Sequence, residues 1–185
     1  VQLMTGLPGD TPEISLETGR KTVSLKPDFI RIYPTLVIQG SPLVKEYEAG
    51  NYQPFSLSQS VTLVKKLYLL FRENDIPVIR MGLQAEKDLD SGSVILDGPY
   101  HPSFGHLVYS EIFYDNVKAY LEHHPDFAES ESLSIFVHSR SHSRLRGQNN
   151  DNIKRLKSDF GFQEIQVKTD NELSLDDFRV ACLMS

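Results

Sequence analysis

Cysteine is nearly absent: among 185 residues, Cys182 alone carries a thiol. One cysteine cannot close an internal disulfide, and by itself it cannot hold an iron–sulfur cluster or a structural zinc. Such a count fits a reducing compartment, so the cytoplasm is the expected location. Long apolar runs are missing as well. None approaches the roughly 18 residues that a bilayer-spanning helix needs, so a membrane protein is not expected. The opening residues, VQLMTGLPGDTPE, lack the basic, apolar and small-residue regions of a signal peptide, and they lack an initiator Met. They read as a strand running straight into a Gly/Pro turn, as expected of a chain cut within a larger domain.

What is present is an ordinary globular balance. Hydrophobic residues make up 39% and charged residues 24% of the chain, enough apolar material for a substantial core in one domain or one and a half. A net charge of −6 argues against nucleic-acid binding over the whole surface. One segment departs from that average. Between His138 and Lys157, Arg140, Arg144, Arg146, Lys154, Arg155 and Lys157 face Asp151 alone, a local charge of +5 that leaves −11 for the rest.

Residues 2–6 read as a short strand. Thr11-Pro12-Glu13 then opens a helix, because Thr caps, Pro suits the first helical position and Glu suits the positive helix end. The run DFIRIYPTLVI follows, with Phe29, Ile30 and Ile32 in a β-rich stretch that Pro34 interrupts. A loop enclosing a short helical LVKEYEAG leads to Ser56 and Gln59, which have capping-box spacing. Behind them Leu57, Val61, Val64, Leu67, Tyr68 and Phe71 recur at helical period. PVIRMGLQ reads as a third strand, and Tyr109, Ile112, Phe113, Val117, Tyr120 and Leu121 form the stripe of a further helix. This β-α-β-α-β-α order predicts a parallel sheet with crossover helices.

A hydrophilic break at AESES divides the chain into 1–127 and 128–185. Beyond it LSIFVH is a strand, NNDNIKRLKSDFG a helix with Ile153, Leu156 and Phe160 inward, and EIQVK a strand. FRVACLM is a last strand with Phe178, Val180, Cys182 and Met184 on one face, and there Cys182 is expected to be buried and inert.

The first three strands end in TGLPGD, RIYPT and RMGLQ. In parallel α/β architectures the C-terminal strand ends form the ligand site; Gly there lets backbone approach a ligand, and Pro stiffens the turn. A lone GLPG is more often a tight turn, and three such ends in register identify no reaction. Taken together, however, MTGLPGDTPE, PDFIRIYPTLVIQGSPL, EAGNYQP, IPVIRMGLQ and GPYHPSFGHLV resemble the radical S-adenosylmethionine (radical SAM) superfamily. The likeness is to the branch containing the elongator acetyltransferase subunit and relatives of oxygen-independent coproporphyrinogen III oxidase, and it spans roughly residues 1–120.

That resemblance implies the C-terminal part of a parallel (β/α) partial barrel, related to the TIM barrel. In the intact parent it implies S-adenosylmethionine and a [4Fe–4S] cluster, which cleaves that cofactor reductively to a hydrogen-abstracting radical. It places Thr5, Gly6, Leu7, Pro8, Gly9 and Asp10, with Tyr33, Pro34 and Thr35, on the cofactor wall, and Arg80, Gln84 and His101 on the substrate side. The family's C-x3-C-x2-C cluster motif does not occur in this sequence. The chain by itself is therefore expected to hold neither cofactor, to be inactive, and to need the N-terminal barrel half of the same protein as its partner. An oligomer of the piece would then be an artefact of truncation. No sequence here resembles the acetyltransferase domain of the elongator subunit, so acetyl transfer is not inherited.

The basic stretch HSRSHSRLRGQNNDNIKRL has the strand–helix–loop–helix–strand order of a KH module, whose G-x-x-G loop clamps a nucleic-acid backbone. Gly147 takes the first glycine position and Asn150 replaces the second, which Asn's tolerance of positive φ permits. Arg144, Arg146, Gly147, Gln148, Asn149, Asn150, Lys154 and Arg155 are the candidate RNA-binding residues, with tRNA as the candidate partner. The bland reading is a solvated loop whose arginines pair with the acidic remainder. His138 and His142, four apart, lack a third metal ligand at useful spacing, and His101 and His106 in the HPSFG loop are more often turn residues than ligands. The expected fold class is thus α/β, a partial radical SAM barrel followed by a small KH-like α/β module. The alternative to the enzyme reading is a non-enzymatic RNA- or protein-binding module built on loop 138–157.

Overall fold

A computed structural model of the chain describes residues 1–83 and 94–182. They form two compact units, Val1–Val108 and Tyr109–Ser185. The first contains strands β1 (Gln2–Thr5), β2 (Ile30–Pro34), β3 (Val37–Ile38), β4 (Val78–Met81) and β5 (Ile95–Asp97) with helices α1 (Pro12–Ser24), α2 (Leu43–Glu48) and α3 (Leu57–Glu73). Its principal sheet has the order β1-β2-β4 with both pairings parallel. This is the α/β architecture that the spacing of elements predicts. β3 and β5 form a separate antiparallel pair.

Local signals place the crossover helices. Thr11 accepts a hydrogen bond from the Ile14 amide at the start of α1, with Pro12 at its first position. Ser56 and Gln59 close a reciprocal capping box on α3. Gly19 lets the two helices meet closely, since a Cβ there would stand 2.7 Å from Leu67. Ile30, Ile32, Leu67 and Phe71 are fully buried, whereas Phe29, read as part of the strand, precedes it and is 42% exposed.

Helix α4 (Phe104–His123) continues into the second unit. The division falls inside this helix, upstream of the AESES stretch where composition alone places a boundary. The second unit holds β6 (Ser132–Val137), α5 (His142–Arg146), α6 (Asp151–Phe160), β7 (Glu164–Thr169) and β8 (Phe178–Cys182). Its sheet has the order β7-β6-β8, with β7 parallel and β8 antiparallel to the central strand. Leu133, Ile135, Val137 and Val180 pack against Phe113, Val117 and Leu121 of α4, Leu145 of α5 and Leu156 of α6. Cys182 corrects the expectation of burial: it ends the edge strand β8 and is exposed. Met184 lies outside the described residues.

Candidate functional site

Backbone hydrogen bonds draw the three parallel strand ends together. The Thr35 amide donates to the Thr5 carbonyl at 2.9 Å, and the Gly82 amide to the Ile32 carbonyl at 2.9 Å. Beyond β1 the chain turns at Gly6, where a φ of +77° and the nearby Phe55 ring both disfavour a side chain. Asp10 fixes this turn from within. One of its carboxylate oxygens accepts from the Gly6 amide at 2.7 Å and from the Ser15 hydroxyl at 2.6 Å. From the opposite side the buried Tyr52 hydroxyl donates to the Gly6 carbonyl at 2.6 Å. Burial, followed by the nearby carboxylates of Asp97 and Asp10, raises the Tyr52 pKa above the ordinary tyrosine value, which keeps it a neutral donor.

The sequence-predicted residues divide between the two faces of this sheet. Leu3 and Thr5 of β1 share the buried face with Ile32 and Pro34, while Met4 and Tyr33 pair on the open face. The turn Gly6–Asp10 caps the end of β1. Together with Met4, Thr5 and Ile14 its residues Leu7 to Asp10 line a cavity of about 280 Å³. Thr5 Oγ1, Thr35 Oγ1 and Asp10 Oδ1 are buried without a hydrogen-bond partner among the described residues. Buried polar atoms are nearly always satisfied, so three with unused capacity at neighbouring strand ends are unusual.

His101 joins the same end of the sheet. It lines a narrow gap with Pro34, Leu36, Gly82 and Phe104, and its Nδ1 accepts from the Ser103 amide at 3.1 Å. Gln84 lies outside the described residues. Arg80 is exposed on the open face of β4, and register sets it beside Arg31 of β2, a residue that sequence reasoning passed over. A break in register between Ile30 and Arg31 makes this juxtaposition. Uninterrupted pairing from Ile30 opposite Val78 would set Ile79 beside Arg31, so no sequence pattern announces the pair.

In the second unit the predicted RNA-binding arginines are largely engaged by partners distant in sequence. Arg144 pairs with Asp176 at 3.5 Å and its guanidinium lies 4.2 Å from the centre of the Tyr109 ring. Arg155 pairs with Glu111 and stacks 3.6 Å from the centre of the Tyr114 ring. Arg146 donates to Asn150 Oδ1 at 3.1 Å. Gln148, Asn149, Asn150 and Lys154 are exposed, and Asn149 and Asn150 both adopt positive φ, 53° and 61°. Gly147 closes α5 at φ +69°. His138 accepts from the Arg140 amide, and His142 bonds Thr169. No group of three or more His, Cys, Asp or Glu among the described residues is arranged to hold a metal ion.

The model of the radical SAM C-terminal domain matches residues 27–113. The tRNA uridine(34) acetyltransferase of Methanocaldococcus jannaschii is 27% identical over 110 residues, covering 58% of this chain and 19% of that protein. Human Elongator complex protein 3 is 27% identical over 92 residues, 40% of this chain and 17% of its own length. Among solved structures, the archaeal Elp3 of Methanocaldococcus infernus with an N-terminal deletion aligns at a TM-score of 0.51. That alignment has 24% identity and covers 62% of this chain and 26% of the other, a likeness of fold. The chain spans about a fifth of the length of the first two curated relatives. Strands β2 and β4 lie inside the matched segment and β1 before it: residues 27–113 match the radical SAM C-terminal domain, and the chain is similar to the tRNA uridine(34) acetyltransferases and Elongator complex protein 3.

Proposed function

We propose that the protein carrying this chain is a radical SAM enzyme that acts on tRNA, and that this chain supplies the later cofactor wall and the substrate-side surface. The observation that carries the reading is the convergence of Gly6, Thr35 and Gly82 at one end of a parallel sheet, within and beside the family-matched segment. The relatives' names supply the substrate class: they are described as tRNA uridine(34) acetyltransferases. Acetyl transfer itself is not carried over, because no part of this sequence resembles an acetyltransferase domain.

The residues present fit one of the two implied cofactors. Unused hydrogen-bonding atoms on Thr5, Thr35 and Asp10, beside a glycine-lined turn that backbone can offer at close range, suit a polar nucleoside-type ligand such as S-adenosylmethionine. When bound, that cofactor supplies the hydrogen-abstracting radical. The donor set does not fit a [4Fe–4S] cluster, since one exposed cysteine leaves the remaining thiolates to come from elsewhere. Within this frame the chain's work is positional. Asp10 and Tyr52 grip the Gly6 turn from two sides, Tyr33 belongs to the cofactor wall, and Arg80 presents the open face to substrate.

The test is anaerobic iron–sulfur reconstitution of the protein that contains this chain, followed by measurement of 5′-deoxyadenosine release. Release is expected, and Asp10→Asn should lower it at least tenfold by loosening the Gly6 turn. A reconstituted protein that holds a cluster yet releases no 5′-deoxyadenosine overturns the reading.

A further inference from the structure

The cavity beside the Gly6 turn is walled by hydrocarbon and by one carboxylate. Leu3, Met4, Leu7 and Ile14 line it together with Thr5 and Asp10. Met4, Leu7 and Ile14 stay 48%, 44% and 51% exposed, so much of this apolar wall faces solvent. Apolar side chains scattered singly on a surface need no explanation, but three gathered on one hollow with a charged group are what a ligand pocket offers. Its volume of about 280 Å³ lies near the lower end of such pockets, roughly 300 Å³, and suits a small ligand.

Asp10 uses its two carboxylate oxygens unequally. Oδ2 accepts from the Gly6 amide and the Ser15 hydroxyl, whereas Oδ1 is buried and accepts from no group among the described residues. Both donors to Oδ2 are neutral, and no ion pair among the described residues includes Asp10. Thr5 is 2% exposed and leaves its Oγ1 equally unpaired. An ionised carboxylate only accepts hydrogen bonds, so the group that completes this corner is a donor. Charges taken out of water are paired as a rule, and a cation also offsets the charge that neutral donors leave.

We infer that this cavity binds an ammonium or guanidinium group carried on an aliphatic stem. The cation meets Asp10 Oδ1, with Thr5 Oγ1 as a further acceptor, and the stem lies against Leu3, Met4, Leu7 and Ile14. An anion would be repelled by Asp10, and a plain hydrocarbon would leave both oxygens unpaired. Two sources carry the required chemistry: a diffusible amine, and a lysine or arginine side chain of another polypeptide segment. The inference shares Thr5 and Asp10 with the proposed cofactor wall, but it does not rest on the radical chemistry.

The experiment titrates n-butylammonium chloride into the full chain at matched ionic strength and reads the urea midpoint. Sodium butyrate and 1-butanol, anionic and neutral probes of similar stem, serve as controls. The wild type should show a saturable rise with butylammonium alone, and Glu17→Gln, which removes an exposed carboxylate elsewhere on α1, should retain it. Asp10→Asn should weaken the response by roughly tenfold or more. Because Asp10 also holds the Gly6 turn, Thr5→Val and Ile14→Trp, which leave its hydrogen bonds in place, form a second pair. The first should weaken binding, and the second should block it by filling the hollow.

A wild type without a saturable response, an equal response to butanol or butyrate, or a response kept in both Asp10→Asn and Ile14→Trp overturns the proposal. If Asp10→Asn does not fold, undiminished binding in Thr5→Val and Ile14→Trp overturns it. Repeating the titration on the protein that contains this chain separates the sources. A response there identifies a diffusible amine, and its loss there alone identifies a basic side chain already seated in the cavity. A parent that releases 5′-deoxyadenosine while the chain fails these tests keeps the radical reaction and loses only the cation site.

Discussion

Gly82 has no room for a side chain. It sits at φ +81°, and a Cβ would fall 2.5 Å from the Cβ of Phe104. Neither atom can swing away, so Gly82→Ala combines left-handed strain with overpacking. The expected cost is on the order of 2–5 kcal/mol, read as a lower urea midpoint with an unchanged slope. A variant within 0.5 kcal/mol of wild type would show that the close approach of α4 to the β4 end is not needed. The glycine itself was legible in RMGLQ as a turn at a strand end. Its partner was not, because Phe104 opens a helix well separated in sequence, and only the folded chain sets the two together. The same limit applies to Arg31, which looks like any exposed strand residue until register supplies Arg80.

Elements were more legible than residues because their signals are local. The Ser56–Gln59 spacing names its own geometry, and the hydrogen bonds it promises form at 3.2 Å and 2.9 Å. Ser56→Ala should therefore cost about 1 kcal/mol, measured by chemical denaturation, with Gln59→Ala costing less. A null effect in both would mean that α3 is held by Leu67 and Phe71 alone. The parallel pairing of the first sheet also followed from the alternation of strand and helix, since strands joined by crossover helices run parallel. Cys182 was misjudged by the same reasoning. Alternation along β8 gives the correct face, with Cys182 opposite Leu133, but it cannot say that the last residue of an edge strand is exposed.

Across the whole molecule the charge count along the chain overstated what the surface offers. Two cations of residues 138–157, Arg144 and Arg155, are met by Asp176 and Glu111, brought in from the connection before β8 and from α4. Counting along the sequence cannot see carboxylates that approach through space. Other polar pairs of the same unit predict a pH profile. Hydrogen bonds from Tyr114 and then Lys118 lower the Asp159 pKa, and the Arg179 side chain lowers that of Asp170. Both contributions are complete above the ordinary carboxyl value of 3.8 and fade as pH falls through the lower folded values.

At the alkaline end the signs reverse. Tyr114 is raised by burial and by Asp159, and Lys118 by its hydrogen bond to Asp159. Their contributions are complete below the ordinary values of 10.0 and 10.5 and are lost as pH rises through the folded ones. Urea midpoints should thus form a plateau between about pH 5 and 9, and Asp159→Asn should lower the plateau and flatten both limbs. A variant with limbs as steep as wild type would remove Asp159 as their source.

The parallel pairings within the β1-β2-β4 and β7-β6-β8 sheets have a consequence in time. Gln2 meets Arg31, and Ser132 meets Glu164, each across a whole crossover. Neither sheet can therefore be seeded by a local hairpin between its parallel partners. Loop closure must come before the contacts that reward it, which places refolding of each unit toward the slower part of the range for small α/β domains.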